Sequence, residues 1–507
     1  MALAGFVRSA YPFAMPCFGH LPKLALMVAL LPLLTGCGDS AAPEIAIAVV
    51  GNEAAPFDSG VRLTAAGQLV RAAMAQGLVG LDEQGRVVPG LADRWIVTDD
   101  GLSYIFRLRD GTWPDGAELS AESVKAGLRQ TLAELQATPL GAEFVQIDEI
   151  RGMTGQVIEI RLVQPVPDLL QLLAQPELGV LHGGRGGGPM SLRRDGVTAV
   201  LAPIALAKLG LPRADDQPAP ARSIRLLAVP APVAVKQFVA GEVDVVLGGR
   251  FTDYPEGAAA SGVGQRLLRI DPAPGLFGLS VSRADGFLAR PENREALALA
   301  IDREALAAAL EVGGWVPTTR VVAPGSTGDL GTVGERWTSL TPAQRQREAA
   351  ARVSRWTTQH REPAALRLAL PDGPGGDALF GRLRADFDAI GVALSRVGDG
   401  KEAELRLIDL VARYPRPEWY LAQLSCAAAR GLCSSSADAR LADARGAADP
   451  AQRGAMLAEA EAELTAANVY IPLGPPVRWA LVRDNVVGFA VNPQAFHPLW
   501  PLAMQQK

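Results

Sequence analysis

Histidine and cysteine are scarce in this sequence, four of each in 507 residues. His20, His182, His360 and His497 are scattered, none at metal-ligand spacing from another, and HExxH, CxxC and GxSxG are all missing. Those gaps remove the short motifs that would announce a metallohydrolase, a thiol redox centre or a nucleophile elbow. Acidic residues are plentiful, but spacing singles out no catalytic pair, and a triad assembled only in three dimensions has no sequence support of its own. Basic runs are missing too. With 49 Lys and Arg against 54 Asp and Glu, the formal charge of −5 is small for the length, and no nucleic-acid partner is expected. Beyond Leu34 no apolar run reaches spanning length; even VTAVLAPIALAKLGL, from Val197, is broken by Pro203 and Lys208. Repeats of fixed period are lacking as well. These absences favour a binding protein over an enzyme and call for no metal or other cofactor.

What is present begins at the amino terminus. Arg8 and Lys23 flank an uncharged start, and LALMVALLPLL, Leu24 to Leu34, has the length of a signal-peptide core rather than of a membrane span. It leads into Leu34-Thr35-Gly36-Cys37, which resembles a bacterial lipobox, with an ordinary cleaved signal as the alternative. Residues 1–36 are therefore expected to be a lipoprotein signal peptide. Cys37 becomes the lipidated first residue of a mature chain held on the periplasmic side of the cell envelope. Cys17 leaves with the signal, so only Cys426 and Cys433 remain. In an oxidising compartment the stretch CAAARGLC is expected to close as a disulfide, which requires Cα atoms within about 7 Å.

From Ala42 onward strands and helices intermix in an α/β pattern. EIAIAVVG, Glu44 to Gly51, predicts a compact strand, and LTAAGQLVRAAMAQGLV after it is helical in composition. Ser120 is placed to cap a helix in which Val124, Leu128, Leu132 and Leu135 share one face. LRLAL at Leu366, the stripe Leu379, Phe380, Leu383, Phe387 and Ile390, the stop at Gly391 and the following VALSRV predict a βαβ unit. GGRGGGP, Gly183 to Pro189, lacks the Lys-Ser or Lys-Thr of a phosphate loop and reads as a turn.

One long stretch carries a family pattern. GLVGLDEQGRVVPGLADRWIVTDDGLSYIFRLRDGTWPDGAELSAESVKAGL, Gly77 to Leu128, closely resembles the amino-terminal signature of the family 5 extracellular solute-binding proteins of ABC importers of dipeptides, oligopeptides and nickel. GEVDVVLGG at Gly241, NREALALAIDREALAAAL at Asn293 and VYIPLGPPV at Val469 resemble later segments of that family in the right order. The resemblance implies a class II periplasmic-binding-protein fold of two α/β lobes with two crossing hinge segments, placed near Leu276 to Ser282 and Tyr470 to Gly474. The implied divisions are a first lobe of residues 37–80, 176–275 and 473–507, an extra subdomain of 81–175, and a second lobe of 276–472. A peptide or small solute would lie between the lobes of a monomer, which would work with permease and ATPase subunits. No chemistry is required, although an enzyme, sensory or scaffold role on the same fold is the competing class.

The segment VARYPRPEWY, Val411 to Tyr420, departs from the family. Peptide-binding relatives carry Asp-Tyr and then Pro-Asp-Pro here, the first aspartate pairing with the peptide's amino terminus. Aligning the prolines puts Arg413 and Arg416 at the acidic positions. An arginine there would repel a buried ammonium and suits a carboxylate or phosphate. Tyr414 and Trp419 are candidates to stack on the ligand, with core packing the alternative for Trp419. Two alternatives stay open: that these arginines are solvated loop residues, or that a shifted register makes Asp409 the carboxylate. In the first lobe NEAAPFDSG, Asn52 to Gly60, offers Glu53 and Phe57 as further contacts.

Overall fold

The computed structural model describes residues 44–153, 155–205, 221–260 and 266–504. The expected signal peptide and Cys37 lie outside them. Glu44–Val50 is a central strand of a seven-stranded sheet, parallel to Ser223–Val229 on one side and Val245–Arg250 on the other. Ile45, Ile47 and Val49 enter one core and Ala46 and Ala48 another. That two-residue alternation, with both faces covered, explains an apolar run without polar breaks. Thr198–Pro203 and Met190–Asp195 extend the sheet at one edge, Arg478–Val482 and Leu268–Ile270 at the other.

The second lobe is a five-stranded sheet in the order Val392–Gly398, Ala364–Leu370, Leu405–Val411, Gly275–Val281 and Tyr470–Gly474. Its βαβ unit runs through the helix Pro374–Asp388, which buries Leu379, Leu383 and Phe387. The chain passes between the two sheets twice, at residues 271–274 and 475–477. Leu276 to Ser282 and Tyr470 to Gly474, expected to cross, instead lie in or at the end of strands of the second sheet. Leu276, Leu279, Ile471 and Leu473 are buried there. The crossings proper carry Pro272, Pro274, Pro475 and Pro476, which have no N–H to give to a ladder. Asp271 anchors the first of them, bonded to His497 Nε2 at 3.1 Å and accepting from Asn492 N at 2.9 Å.

Inserted in the first lobe is a four-stranded antiparallel sheet, Ala92–Val97, Ser103–Leu108, Val157–Leu162 and Ile147–Met153. The helix Ala121–Leu135 packs on it, capped by Ser120, whose Oγ accepts from Ser123 N at 3.2 Å. Gly183 and Gly184 of GGRGGGP form the turn of a short hairpin, Leu181–His182 with Arg185–Gly186, the segment's next two residues. Among the described residues no helix is long and apolar enough to cross a membrane.

Candidate ligand-binding cleft

A cavity of about 640 Å³ lies between the lobes and takes its walls from both. Five arginines line it, Arg62, Arg250, Arg413, Arg430 and Arg478, against the carboxylates of Glu177 and Asp409. Local structure decides which of these charges are already matched.

At the hinge end they are. The strand Val245–Arg250 loses register against Arg478–Val482 between Val246 and Gly249. Gly248 adopts φ +78°, open to glycine, and a Cβ on Gly249 would stand 2.2 Å from the Trp479 ring. The bulge turns Arg250 toward the second lobe, and Trp479 Nε1 fixes it by donating to Arg250 O at 2.8 Å. Arg250 Nη2 then donates to Asp409 Oδ2, and Arg478 Nη1 to Asp409 Oδ1, each at 2.8 Å. Asp409, on the strand Leu405–Val411 of the second lobe, is thus clamped by two guanidiniums of the first. Its charge pushes Arg250 up. Arg478 goes the other way, because its deeper burial outweighs the same carboxylate; its side chain is 14% exposed against 48% for Arg250.

A second interlobe contact lies farther along the same segment. Tyr414 Oη donates to Glu143 Oε2 at 3.0 Å, and Gln423 Nε2 to Glu143 Oε1 at 3.3 Å. Arg416 pairs with Asp168 at 2.5 Å. Glu143 and Asp168 belong to the inserted subdomain, so this contact also joins the lobes. Burial raises both carboxyls, opposed at Glu143 by the Tyr414 hydroxyl and then by the charges of Arg413 and Arg445, and at Asp168 by the Arg416 charge.

Arg413 differs from its neighbours. Among the described residues it makes no hydrogen bond and no ion pair, and it lines the cavity half-buried. Arg430 stands nearby and donates to Gln423 Oε1 at 3.0 Å, again without a carboxylate. Burial first, and then the charge of Arg413, lowers the Arg430 guanidinium. This is like-charge crowding that an anion would relieve. Arg430 is held in place by its loop: Cys426 and Cys433 are joined with Cα atoms 5.0 Å apart, and Leu432 N donates to Val281 O at 2.7 Å.

The residues singled out in the sequence therefore separate. Arg413 and Trp419 line the cavity, Trp419 being 1% exposed and edge-on to Tyr420. Tyr414 is buried, its hydroxyl taken by Glu143 and pushed well up by burial and by that carboxylate. Asp409, the alternative carboxylate, is occupied by Arg250 and Arg478. Glu53 is exposed, and Phe57 lies under the Arg194 guanidinium at 4.2 Å. Neither lines the cavity. The turn Ala55–Phe57 packs against the first helix, so the wall comes from Val61 to Gln68 instead. Glu177, Arg250 and Arg430 carried no motif. The signals that point to the two arginines are Gly-Gly-Arg at a strand end and an arginine between two cysteines; Glu177 has none.

Another cavity, of about 590 Å³, lies against both crossing segments, with Pro272, Trp315 and Pro476 among its walls. Its Glu335 is already satisfied by Thr318 Oγ1, Thr319 N and Thr319 Oγ1. The interlobe cavity is the better candidate because Arg413 on its wall makes no hydrogen bond or close ion pair among the described residues and Glu177 Oε2 has no hydrogen-bond partner. Among the described residues no group of three or more His, Cys, Asp or Glu is placed to hold a metal ion.

The sequence matches the family described as bacterial extracellular solute-binding proteins, family 5 Middle, over residues 86–200 and 213–353. The probable deoxycholate-binding periplasmic protein YgiS of Escherichia coli K12 is 31% identical over 121 residues, 20% of this chain and 23% of YgiS. The glutathione-binding protein GsiB of Escherichia coli O1:K1 is 29% identical over 181 residues, 35% of this chain and 31% of GsiB. The matches thus span a third or less of these curated relatives. OppA of Haemophilus influenzae, solved in complex with RPPGFSPFR, superposes with a TM-score of 0.78 over 92% of this chain and all of OppA, at 17% identity. The murein tripeptide binding protein MppA of Escherichia coli gives 0.79 over 92% of this chain and 99% of its own, at 16% identity. These structures share the two-lobed fold, and with the family match on both sides of residue 200 the chain belongs to the bacterial extracellular solute-binding proteins, family 5.

Proposed function

We propose that the chain is the solute-binding component of an ABC importer, anchored by lipid at Cys37 on the periplasmic side, and that it captures a peptide or related small solute through an anionic group. The observation that carries this reading is Arg413, a guanidinium on the cleft wall that no carboxylate among the described residues hydrogen-bonds or closely pairs, Glu143 feeling its charge only at longer range, beside Arg430, which is bonded to an amide alone. Guanidiniums offer the planar fork that carboxylate and phosphate accept. Hinge closure is the mechanism: a solute touching both lobes favours the closed form by its differential contacts, and the closed form presents a composite surface to permease and ATPase subunits. The relatives' names lend support, since YgiS is named for deoxycholate and GsiB for glutathione, both carboxylates at neutral pH. Covalent chemistry has no part in this account.

Native mass spectrometry of protein purified from its periplasm tests the reading. A bound species carrying a carboxylate or phosphate is expected, and Arg413→Ala should lose it. A bound species with no anionic group would overturn the proposal.

A further inference from the structure

We propose that the cleft holds its solute with a fixed polarity, the anion at Arg413 and Arg430 on the second lobe and a cation at Glu177 on the first. The inference rests on the anionic-solute reading above and adds to it a cation subsite on the opposite wall.

Unpartnered polar atoms carry the argument. Buried polar groups in folded proteins are nearly always hydrogen-bonded. Yet Glu177 Oε2, Trp419 Nε1 and Arg430 Nε are buried with no hydrogen-bond partner, and all three residues line this one cavity. They sort by wall. The donors, Trp419 and Arg430, belong to the second lobe, and the carboxylate acceptor to the first. Gln494, whose amide can turn to offer either group, adds a fourth unpartnered atom on the first-lobe side.

Glu177 is not a solvated surface acid. It is 6% exposed, sits in the tight turn Pro176–Leu178, and is oriented by Gln68 Nε2, which donates to its Oε1 at 2.8 Å. Arg71 feels its charge but donates to Gly60 O at 2.9 Å instead. Among the described residues no ion pair involves Glu177. A buried carboxylate without a cation is costly, and an ammonium or guanidinium on the solute supplies the missing partner. A solute with both groups would bridge the lobes electrostatically, so closure would require both ends. The arrangement also inverts the expectation from the family pattern, in which the ammonium meets a carboxylate at the position of Arg413.

The test uses three matched probe mixtures, read by native mass spectrometry and titration calorimetry: amino acids to tripeptides with both termini free, the same compounds N-acetylated, and the same compounds C-amidated. Wild type should retain members of the free mixture and bind their N-acetylated forms about 30-fold more weakly, the loss of one desolvated charge pair. Glu177→Gln keeps the Gln68 contact and should weaken the free compounds by a similar factor while leaving the N-acetylated ones unchanged. If N-acetylated and free compounds bind wild type alike and amidated ones fail, the cation subsite is refuted and the anionic reading stands. If amidated compounds bind as well as free ones, or no mixture binds, both fall.

Discussion

The two ends of the cleft use arginine in opposite ways. At the hinge, Arg250 and Arg478 of one lobe close on Asp409 of the other. Four residues beyond Asp409, Arg413 makes no hydrogen bond or close ion pair among the described residues and only feels the Glu143 charge at longer range, and Arg430 beside it meets only an amide. Both ends are partly desolvated and both are basic. The difference is where the counter-charge comes from: the protein provides a paired carboxylate at the hinge, and at the outer end we propose that the solute provides it. A guanidinium already paired across the lobes biases them toward closure whatever is bound, whereas an unpaired one rewards closure only around an anion. Segment VARYPRPEWY contains both kinds, since Arg416 pairs with Asp168 while Arg413 does not.

The largest effect should come from breaking the hinge end. Asp409→Ala leaves two guanidiniums facing each other without their shared carboxylate and should destabilise the closed arrangement by about 3–5 kcal/mol. Small-angle scattering should then report a larger radius of gyration than for wild type. An unchanged profile would mean that the clamp does not hold the lobes. Tyr414→Phe is the milder version at the subdomain contact. Glu143 keeps Gln423 but loses its hydroxyl donor, and urea unfolding should report a loss of about 1–2 kcal/mol. No loss would show that Glu143 finds another donor.

A pH-dependent effect, weakened by solvent screening because the Arg367 side chain is 42% exposed, sharpens the comparison with an arginine–carboxylate pair outside the cleft. Glu404 accepts from Arg367 Nη2 at 2.7 Å, from Nε at 3.1 Å and from its backbone N at 2.8 Å. The Arg367 side chain first, and its backbone N–H as well, hold Glu404 down to about 2 from an ordinary 4.5. A depressed carboxylate contributes stability above its unfolded value and loses it as pH falls through the folded one. The contribution should therefore be complete above pH 4.5 and fade toward pH 2. Glu404→Gln should flatten the acid limb of a stability-against-pH curve in that window without touching ligand affinity. Identical curves for wild type and variant would remove this pair from the account.

Much of the fold was legible because its signals are local. The Ser120 cap, the run EIAIAVV and the helix stop at Gly391 each declare themselves within a few residues. The crossings were placed a few positions off because the family resemblance locates them only approximately, and only strand pairing shows that the prolines beside Leu276 and Ile471 make the passage. In the cleft, VARYPRPEWY marked a segment but not its division of labour. Tyr414 is decided by Glu143, 271 residues away in sequence, and the alternative Asp409 by arginines 159 and 69 residues away. Glu177 had no local signal at all: its importance lies in a burial and a missing partner that exist only after folding.

The central claim is that Arg413 serves the solute rather than the fold. Calorimetric titration of wild type and Arg413→Ala with the species that co-purifies, alongside thermal unfolding of both proteins without it, tests that most directly. The account predicts at least about 2 kcal/mol of lost affinity, roughly 30-fold in Kd, with ligand-free melting unchanged and ligand-induced stabilisation reduced in step. Equal affinities, or a variant that melts early yet binds as wild type does, would contradict it.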